Sequence, residues 1–432
     1  MISRKSYRDG GFLSERMHVD KDKVLDWLEF EFDKEVGTFI NKKTNLPLTL
    51  FYDDRKDQLC LLDQNKLPYE LSVWRTDDWQ KGASIGIGGM VTRGSQAIGV
   101  AGAYCVLLAA AKCRTSTKKK AVEQILAAAE KIRNARPTAV NLSWAVDRMC
   151  DAAKNALKRA GDIYEHLKQE ADDIFVEDIF VSRALAENGS RLIAGGDTIL
   201  THCNAGSLAT TYGGSALGAV EHAASQGKDV KVVSKETRPR SQGFKLTLWE
   251  LMTAGIPVAG ITDNMVACSF EKFGINRVLV GADRITKDGC VANKVGTNDI
   301  ARMVAFYSVP FVVAASYSTL DLQHTGKEIP IEQRSHEEVY MPYHYEALQR
   351  KKQGLIGRDA LSFWPPANKI SEKMEKGKIA LYNPAFDVTD SRLISNIVLD
   401  LGIYRPERIS TIDDKTIAER VSAIVARYSK AV

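Results

Sequence analysis

The run Thr198-Ile199-Leu200-Thr201-His202-Cys203-Asn204-Ala205-Gly206 sets a single cysteine at the end of an apolar strand, directly before a small-residue turn. Residues 191–200 supply the strand, and 206–217, rich in Gly, Ser, Thr and Ala, suit the opening of a helix beside a bound anion. The pattern recurs downstream. Residues 198–202, 230–234, 257–262, 277–282 and 310–315 read as strands, and 216–225, 247–254, 266–272 and 294–306 as the helices between them. Continuous apolar strands alternating with helices specify a parallel sheet covered on both faces. The expected fold class is α/β: a doubly wound, Rossmann-like parallel-sheet domain preceded by a smaller, mostly helical domain with a short β element. The expected boundaries are 1–185 and 186–432, with an inserted arm at 341–378.

The first half carries a different pattern. Between 141 and 170, apolar residues at 142, 145, 146, 149, 152, 153, 156, 157, 160, 163, 164 and 167 follow helical periodicity. Residues 36–62 mix β-branched and aromatic residues with charge and suggest a small sheet; 114–120 is basic, hydroxyl-rich and reads as a solvated loop. Residues 341–378, with Gln349-Arg350-Lys351-Lys352 and Trp364-Pro365-Pro366, fit neither pattern and read as an inserted arm or lid.

Composition excludes several classes. The 432 residues, 44% hydrophobic and 26% charged, are ordinary for a soluble globular protein. A net charge of +5 from 59 basic and 54 acidic residues gives little support for nucleic-acid binding. No apolar run approaches the roughly 20 residues a membrane helix needs, and Met1-Ile2-Ser3-Arg4-Lys5 leads into charge, so a cytoplasmic protein without membrane contact is expected. The seven cysteines form no Cys-x-x-Cys pair and the histidines no metal-ligand spacing, which disfavours disulfides and leaves a metal site without support.

In such sheets ligands bind at the carboxyl ends of the strands. Polar residues follow the strands here repeatedly: Cys203, then Glu236 and Thr237, Asp263 and Asn264, Asp283 and Arg284, and Ser316. Backbone amides and a positive helix end near Cys203 favour its thiolate; the alternative is a small residue that merely packs. His202 reads either as a substrate contact or as a satisfied buried group. Asp283 follows Val278-Leu279-Val280, and in a dry pocket such a carboxyl stays protonated near neutrality and can act as a general acid. An ion pair with Arg284 and a helix N-cap are its structural alternatives.

Gly86-Ile87-Gly88-Gly89-Met90-Val91-Thr92-Arg93-Gly94-Ser95 leads into a small-residue helix, offering amides and a guanidinium to a phosphate. It lacks the Gly-Lys-Ser/Thr ending of a P-loop, and no dinucleotide fingerprint follows a strand, so no nucleotide cofactor is indicated. Arg136-Pro137-Thr138 brings a second guanidinium, Asn293-Lys294 a cation, and Gln242 and Asn293 suit sugar hydroxyls.

From about residue 61 to 402 the chain resembles the methylthioribose-1-phosphate isomerase family. That family lies within a wider group containing ribose-1,5-bisphosphate isomerases and regulatory subunits of the eukaryotic initiation-factor exchange complex. The resemblance is carried by Asp63-Gln64, Arg93-Gly94 with Ala97-Ile98-Gly99, Arg136-Pro137-Thr138-Ala139-Val140-Asn141-Leu142, Thr201 to Gly206, Glu236-Thr237-Arg238-Pro239 and Gln242-Gly243. It continues through Thr262-Asp263-Asn264-Met265, Gly281-Ala282-Asp283-Arg284-Ile285, Ala292-Asn293-Lys294-Val295-Gly296-Thr297 and Asn383-Pro384-Ala385-Phe386-Asp387-Val388. The resemblance implies Cys203 and Asp283 as catalytic residues. It implies Arg93, Gly94, Ser95, Arg136, Gln242, Asn293 and Lys294 as substrate contacts, and a homodimer requiring no metal or other cofactor.

The implied reaction converts 5-methylthioribose 1-phosphate to 5-methylthioribulose 1-phosphate, with 5-deoxyribose 1-phosphate and ribose 1,5-bisphosphate as alternative substrates and a non-catalytic sugar-phosphate or nucleotide sensor as the alternative of another class. Two features depart from the family: Ser95-Gln96 where it commonly has Ala-Pro, and the extensions at the N-terminus and at 341–378.

Overall fold

A computed structural model describes residues 18–339, 376 and 381–432. The expected arm at 341–378 thus lies outside the described residues apart from Lys376, as does the start of the N-terminal extension.

The small sheet expected over 36–62 is present and larger. β1 (Phe30–Asp33) and β2 (Thr38–Asn41) form an antiparallel hairpin. β3 (Leu50–Asp53), β4 (Gln58–Leu62) and β5 (Val73–Thr76) form an antiparallel three-stranded sheet. Against it packs the Ser95–Ala111 helix, which is apolar on all sides and almost wholly buried, as a central core helix must be. Gly99 lets it lie against the next helix: a Cβ there would stand 2.9 Å from the Asn141 carbonyl oxygen.

The continuous periodicity of 141–170 resolves into two helices, Val140–Ala156 and Ile163–Ser190. Gly161, at φ +101°, breaks the chain between them, and the Asp162 carboxylate caps the second helix by accepting the Tyr164 amide at 2.7 Å. Both helices turn apolar residues to one core, so the period carries across the break. The expected loop at 114–120 already turns helical at Lys118, and Arg114 stacks 3.6 Å from the Tyr164 ring centroid.

In chain order there follow β6 (Thr198–Thr201), β7 (Lys231–Lys235), β8 (Val258–Ile261), β9 (Arg277–Val280), β10 (Arg284–Thr286) and β11 (Val291–Lys294). Next come β12 (Phe311–Ala314), β13 (Leu320–Asp321), β14 (Phe386–Thr389), β15 (Asn396–Leu399) and β16 (Gly402–Tyr404). The main sheet has the order β16-β15-β12-β9-β6-β7-β8 and is parallel except for β16. Strands β6, β7 and β8 grow in one direction and β9, β12 and β15 in the other. The order therefore reverses between β6 and β9, and that is where such sheets bind ligands.

Three expectations need correction here. Residues 191–197 are not strand: they form a turn in which the Asp197 carboxylate accepts the Ala194 amide at 2.9 Å. The small-residue segment after Cys203 makes only a short 3-10 turn, Ser207–Ala209, and the helix starts at Ala216. Residues 294–296 are not helical, because Lys294 ends β11 and the helix Thr297–Tyr307 begins after Gly296, at φ +98°. β11 belongs to a second sheet of order β13-β10-β11-β14, whose strands of two to four residues are too short to carry a legible period.

Two further features frame the site. Arg148, 1% exposed, joins the long helices through ion pairs to Glu170 at 2.7 Å and Glu177 at 2.9 Å. Gln333 and Pro384 are bridge partners, the Ala385 amide donates to the Glu332 carbonyl at 2.8 Å, and the Arg334 amide to that of Asn383 at 2.9 Å. No helix among the described residues is long and apolar enough to cross a membrane.

Candidate active site

One cavity of about 110 Å³ opens at the reversal point. Cys203, after β6, and Asp283, after β9, both line it, as do Arg93, Gly94, Ser95, Arg136, Gln242, Asn293 and Lys294. The nine residues expected as catalytic or substrate-contacting thus line one cavity, and Arg284 with them, whereas the strand-end residues Glu236, Thr237, Asp263, Asn264 and Ser316 do not line it.

Gly94 makes the turn into the Ser95–Ala111 helix at φ +101°, where a Cβ would stand 2.4 Å from the Ala209 Cα. Only glycine fits there, and it sets the start of the helix on the cavity wall, the arrangement that receives anions. The Ser95 hydroxyl accepts from Asn141 Nδ2 at 2.7 Å, and Gln96 Nε2 donates to Asp178 at 2.9 Å. One polar atom of each of these two side chains is thus engaged by a protein group.

The Arg93 guanidinium donates through Nη2 to Asn204 Oδ1 and the Asn204 carbonyl, at 2.5 and 3.2 Å, and through Nε to Gln64 at 3.2 Å. This leaves Nη1 3.9 Å from Cys203 Sγ. Asn204 Nδ2 in turn donates to the buried Glu250 at 2.9 Å. Arg136 pairs with Glu332 at 3.4 Å, and the Thr138 hydroxyl donates to the same carboxylate oxygen at 2.8 Å. Burial would raise the Glu332 pKa, but Arg136 and Thr138 hold it below the usual carboxylate range.

Asp283 takes neither structural alternative. Arg284 pairs with Asp321 at 3.1 Å, and Asp283 leads into β10 rather than a helix. Burial pushes the Asp283 carboxyl up from its ordinary value, against the opposing pull of Lys294, Arg136 and Arg93. Burial likewise lowers the Lys294 pKa, which Cys203 and Asp283 act to restore; its ammonium donates to the Ala385 carbonyl at 2.8 Å. Lys294 thus interacts electrostatically with both Cys203 and Asp283. Asn293 Nδ2 donates to the Thr297 hydroxyl at 3.0 Å. Among the described residues, Gln242 Oε1 is buried and meets no hydrogen-bond donor.

Of the two readings of His202, the buried and satisfied one holds, although its ring also borders the cavity. Nε2 donates to the Val295 carbonyl at 2.9 Å and Nδ1 faces the Thr237 hydroxyl at 3.2 Å. Burial, helped by Lys235, pushes its pKa down to about 3, so the ring is neutral.

Asn204, Glu332 and Arg334 also line or brace the cavity and were not singled out as site residues. Asn204 was readable, since it adjoins Cys203 in a turn already marked. Glu332 and Arg334 lie in 322–339, a stretch with neither helical nor strand period.

Residues 91–406 match the model of the initiation factor 2 subunit family. The chain belongs to that family. It is 41% identical over 351 residues to the methylthioribose-1-phosphate isomerase of Thermosipho africanus, covering 81% of this chain and 93% of the relative. Among solved structures of the family's fold, 5-methylthioribose 1-phosphate isomerase from Pyrococcus horikoshii aligns with a TM-score of 0.71 at 31% identity, over 87% of this chain and 97% of that one. A protein from A. fulgidus described as translation initiation factor eIF-2B, subunit delta, aligns with a TM-score of 0.68 at 34% identity, over 86% and 99%.

Proposed function

We propose that the protein isomerises 5-methylthioribose 1-phosphate to 5-methylthioribulose 1-phosphate, the aldose-to-ketose step of methionine salvage. The observation that carries this reading is the pairing of Asp283, whose pKa burial raises, with Cys203 in one cavity that also holds Arg93, Arg136 and Lys294. The named relatives point the same way.

Phosphate on the anomeric oxygen prevents spontaneous opening of the ring, so the enzyme must force it. Asp283 gives its proton to the ring oxygen as the bond from C1 to that oxygen breaks. Cys203, as thiolate, removes the C2 proton and forms the enol. Its proton returns to C1 while the C2 hydroxyl proton goes to Asp283, which leaves a ketone at C2 and both residues as they began. In the competing route the C2 hydrogen moves to C1 as hydride, and Cys203 takes only the hydroxyl proton. Arg93, the Gly94 and Ser95 backbone and Arg136 hold the phosphate, with Lys294 beside them; Gln242 and Asn293 hold sugar hydroxyls.

5-Deoxyribose 1-phosphate, which lacks only the thiomethyl group, enters the same pocket with a difference of about 1–3 kcal/mol. Ribose 1,5-bisphosphate would need a second cationic cluster at C5. The reading carries with it a homodimer in the cytoplasm, independent of nucleic acid, membrane and added cofactors, and is checked in part by a solution mass twice that of the chain.

The test is incubation of the purified protein with the three sugars in parallel, following ketose by NMR in D₂O. Turnover lost on the order of a hundredfold or more in Cys203→Ala supports the reading. Deuterium at C1 of the product selects the proton route; its absence is the result given both by hydride transfer and by return of the same proton from Cys203 before exchange. Likeness to the A. fulgidus protein favours a second reading, a non-catalytic sugar-phosphate or nucleotide sensor. Tight binding without turnover of any of the three would select it.

A further inference from the structure

The ends of three adjacent strands are wired to one another. After β8, the Asp263 carboxylate accepts two successive amides that follow β7: Thr237 N at 3.0 Å through Oδ1 and Arg238 N at 2.7 Å through Oδ2. After β7, the Thr237 hydroxyl oxygen accepts the amide of Cys203, which follows β6, at 2.8 Å. The same hydroxyl lies 3.2 Å from His202 Nδ1, an acceptor because the ring spends its Nε2 proton on the Val295 carbonyl, and 3.3 Å from the Lys235 carbonyl, so its own proton has an acceptor. On the other side of Cys203, its carbonyl accepts the Thr247 hydroxyl at 2.6 Å.

Both residues so held have left-handed backbones, Cys203 at φ +64° and Thr237 at φ +66°. For a β-branched residue this is a rare and unfavourable conformation, and it persists only where the surroundings over-determine it. Asp263 supplies that determination: its two oxygens fix the amides on both sides of the strained Thr237 α-carbon. Thr237 is fully buried, and the cavity does not include it, so its hydroxyl serves Cys203 and not a ligand.

We infer that Thr237, braced by Asp263, is a positioning residue that fixes the left-handed backbone of Cys203 and so aims its side chain into the cavity. This rests on the proposed isomerase reading for its kinetic consequences, but its geometric content does not. A threonine or serine hydroxyl can make both bonds at once, one as acceptor and one as donor; valine has the same shape and makes neither.

The test compares Thr237→Val, Thr237→Ser and Asp263→Asn with the unaltered chain. Two readouts are used: kcat and KM on 5-methylthioribose 1-phosphate, and the rate of iodoacetamide alkylation at Cys203, followed by peptide mass spectrometry at fixed pH. Thr237→Val is expected to lower kcat on the order of a hundredfold with KM within about twofold. Thr237→Ser is expected to restore kcat to within about threefold, and Asp263→Asn to fall between them. Alkylation of Cys203 changes in Thr237→Val and returns in Thr237→Ser.

The inference is overturned if Thr237→Val keeps the unaltered kcat and alkylation rate, or if Thr237→Ser fails as badly as Thr237→Val. Should Thr237→Val not fold, the Ser and Asn variants decide by the same comparison with the unaltered chain. If the unaltered chain turns over no substrate, the isomerase reading fails while the alkylation series still decides this one.

Discussion

The carboxylate of Glu332 lies 3.4 Å from the guanidinium of Arg136 and shares its oxygen with the Thr138 hydroxyl. Arg136 therefore meets an incoming phosphate with a carboxylate partner already in place. Glu332→Gln removes that competing charge while keeping an acceptor for Thr138. Apparent affinity for a sugar 1-phosphate, and for inorganic phosphate as an inhibitor, is expected to rise about fivefold, equivalent to ~1 kcal/mol. Inhibition constants for phosphate in the two proteins check this.

Asp283 acts in its protonated form, and burial raises its pKa from the ordinary value of 3.8. The sign follows: the donating form of Asp283 is complete below its raised pKa and is lost as pH climbs through it, so Asp283 contributes a declining limb to kcat/KM on the alkaline side. Asp283→Asn cannot donate the proton, so it should lose about 10²–10⁴-fold in rate together with that declining limb. A pH series of kcat/KM on both proteins measures it.

Asp400 does not line this cavity. Its Oδ1 accepts the Tyr317 amide at 2.7 Å, and burial pushes its pKa to about 7 from 3.8. A carboxyl with a raised folded-state pKa lends stability that is complete below its unfolded value and is lost as pH rises through the folded one. Asp400→Asn does not titrate. Its melting temperature should match the unaltered chain near pH 4 and exceed it at pH 8, by about 2–4 °C for each ~1 kcal/mol relieved.

Arg148 is the buried cation between Glu170 and Glu177. Arg148→Met keeps volume but strands carboxylates away from water. A loss of about 3–5 kcal/mol in unfolding free energy is expected in denaturant titration.

The sheet was legible because its strands are apolar on both faces and punctuated by helices, so 198–202, 230–234, 257–262, 277–282 and 310–315 each fall on an observed strand with shifts of a residue or two. The site was legible for a related reason. A parallel sheet exposes only its strand ends, and a polar residue there has few roles besides chemistry or bracing. What stayed hidden was tertiary. The break at Gly161 was masked by two helices sharing one core, and β10, β11, β13 and β14 are too short to show alternation. Glu332 meets Arg136 across 196 residues, a separation that no local pattern reports. The buried role of His202 depends on the Val295 carbonyl, which reaches it from the end of β11 in the second sheet.

Gln333 bridges Pro384, and the backbones of Glu332 and Arg334 clasp those of Ala385 and Asn383, so two segments distant in sequence are pinned together beside the cavity. With those two segments already tied together, chain length added between them costs little more in closure entropy. For protein engineering this makes the span between those two segments a natural insertion point. A fluorescent reporter spliced there would hang from a fixed hinge beside the pocket and could register occupancy without being built into it.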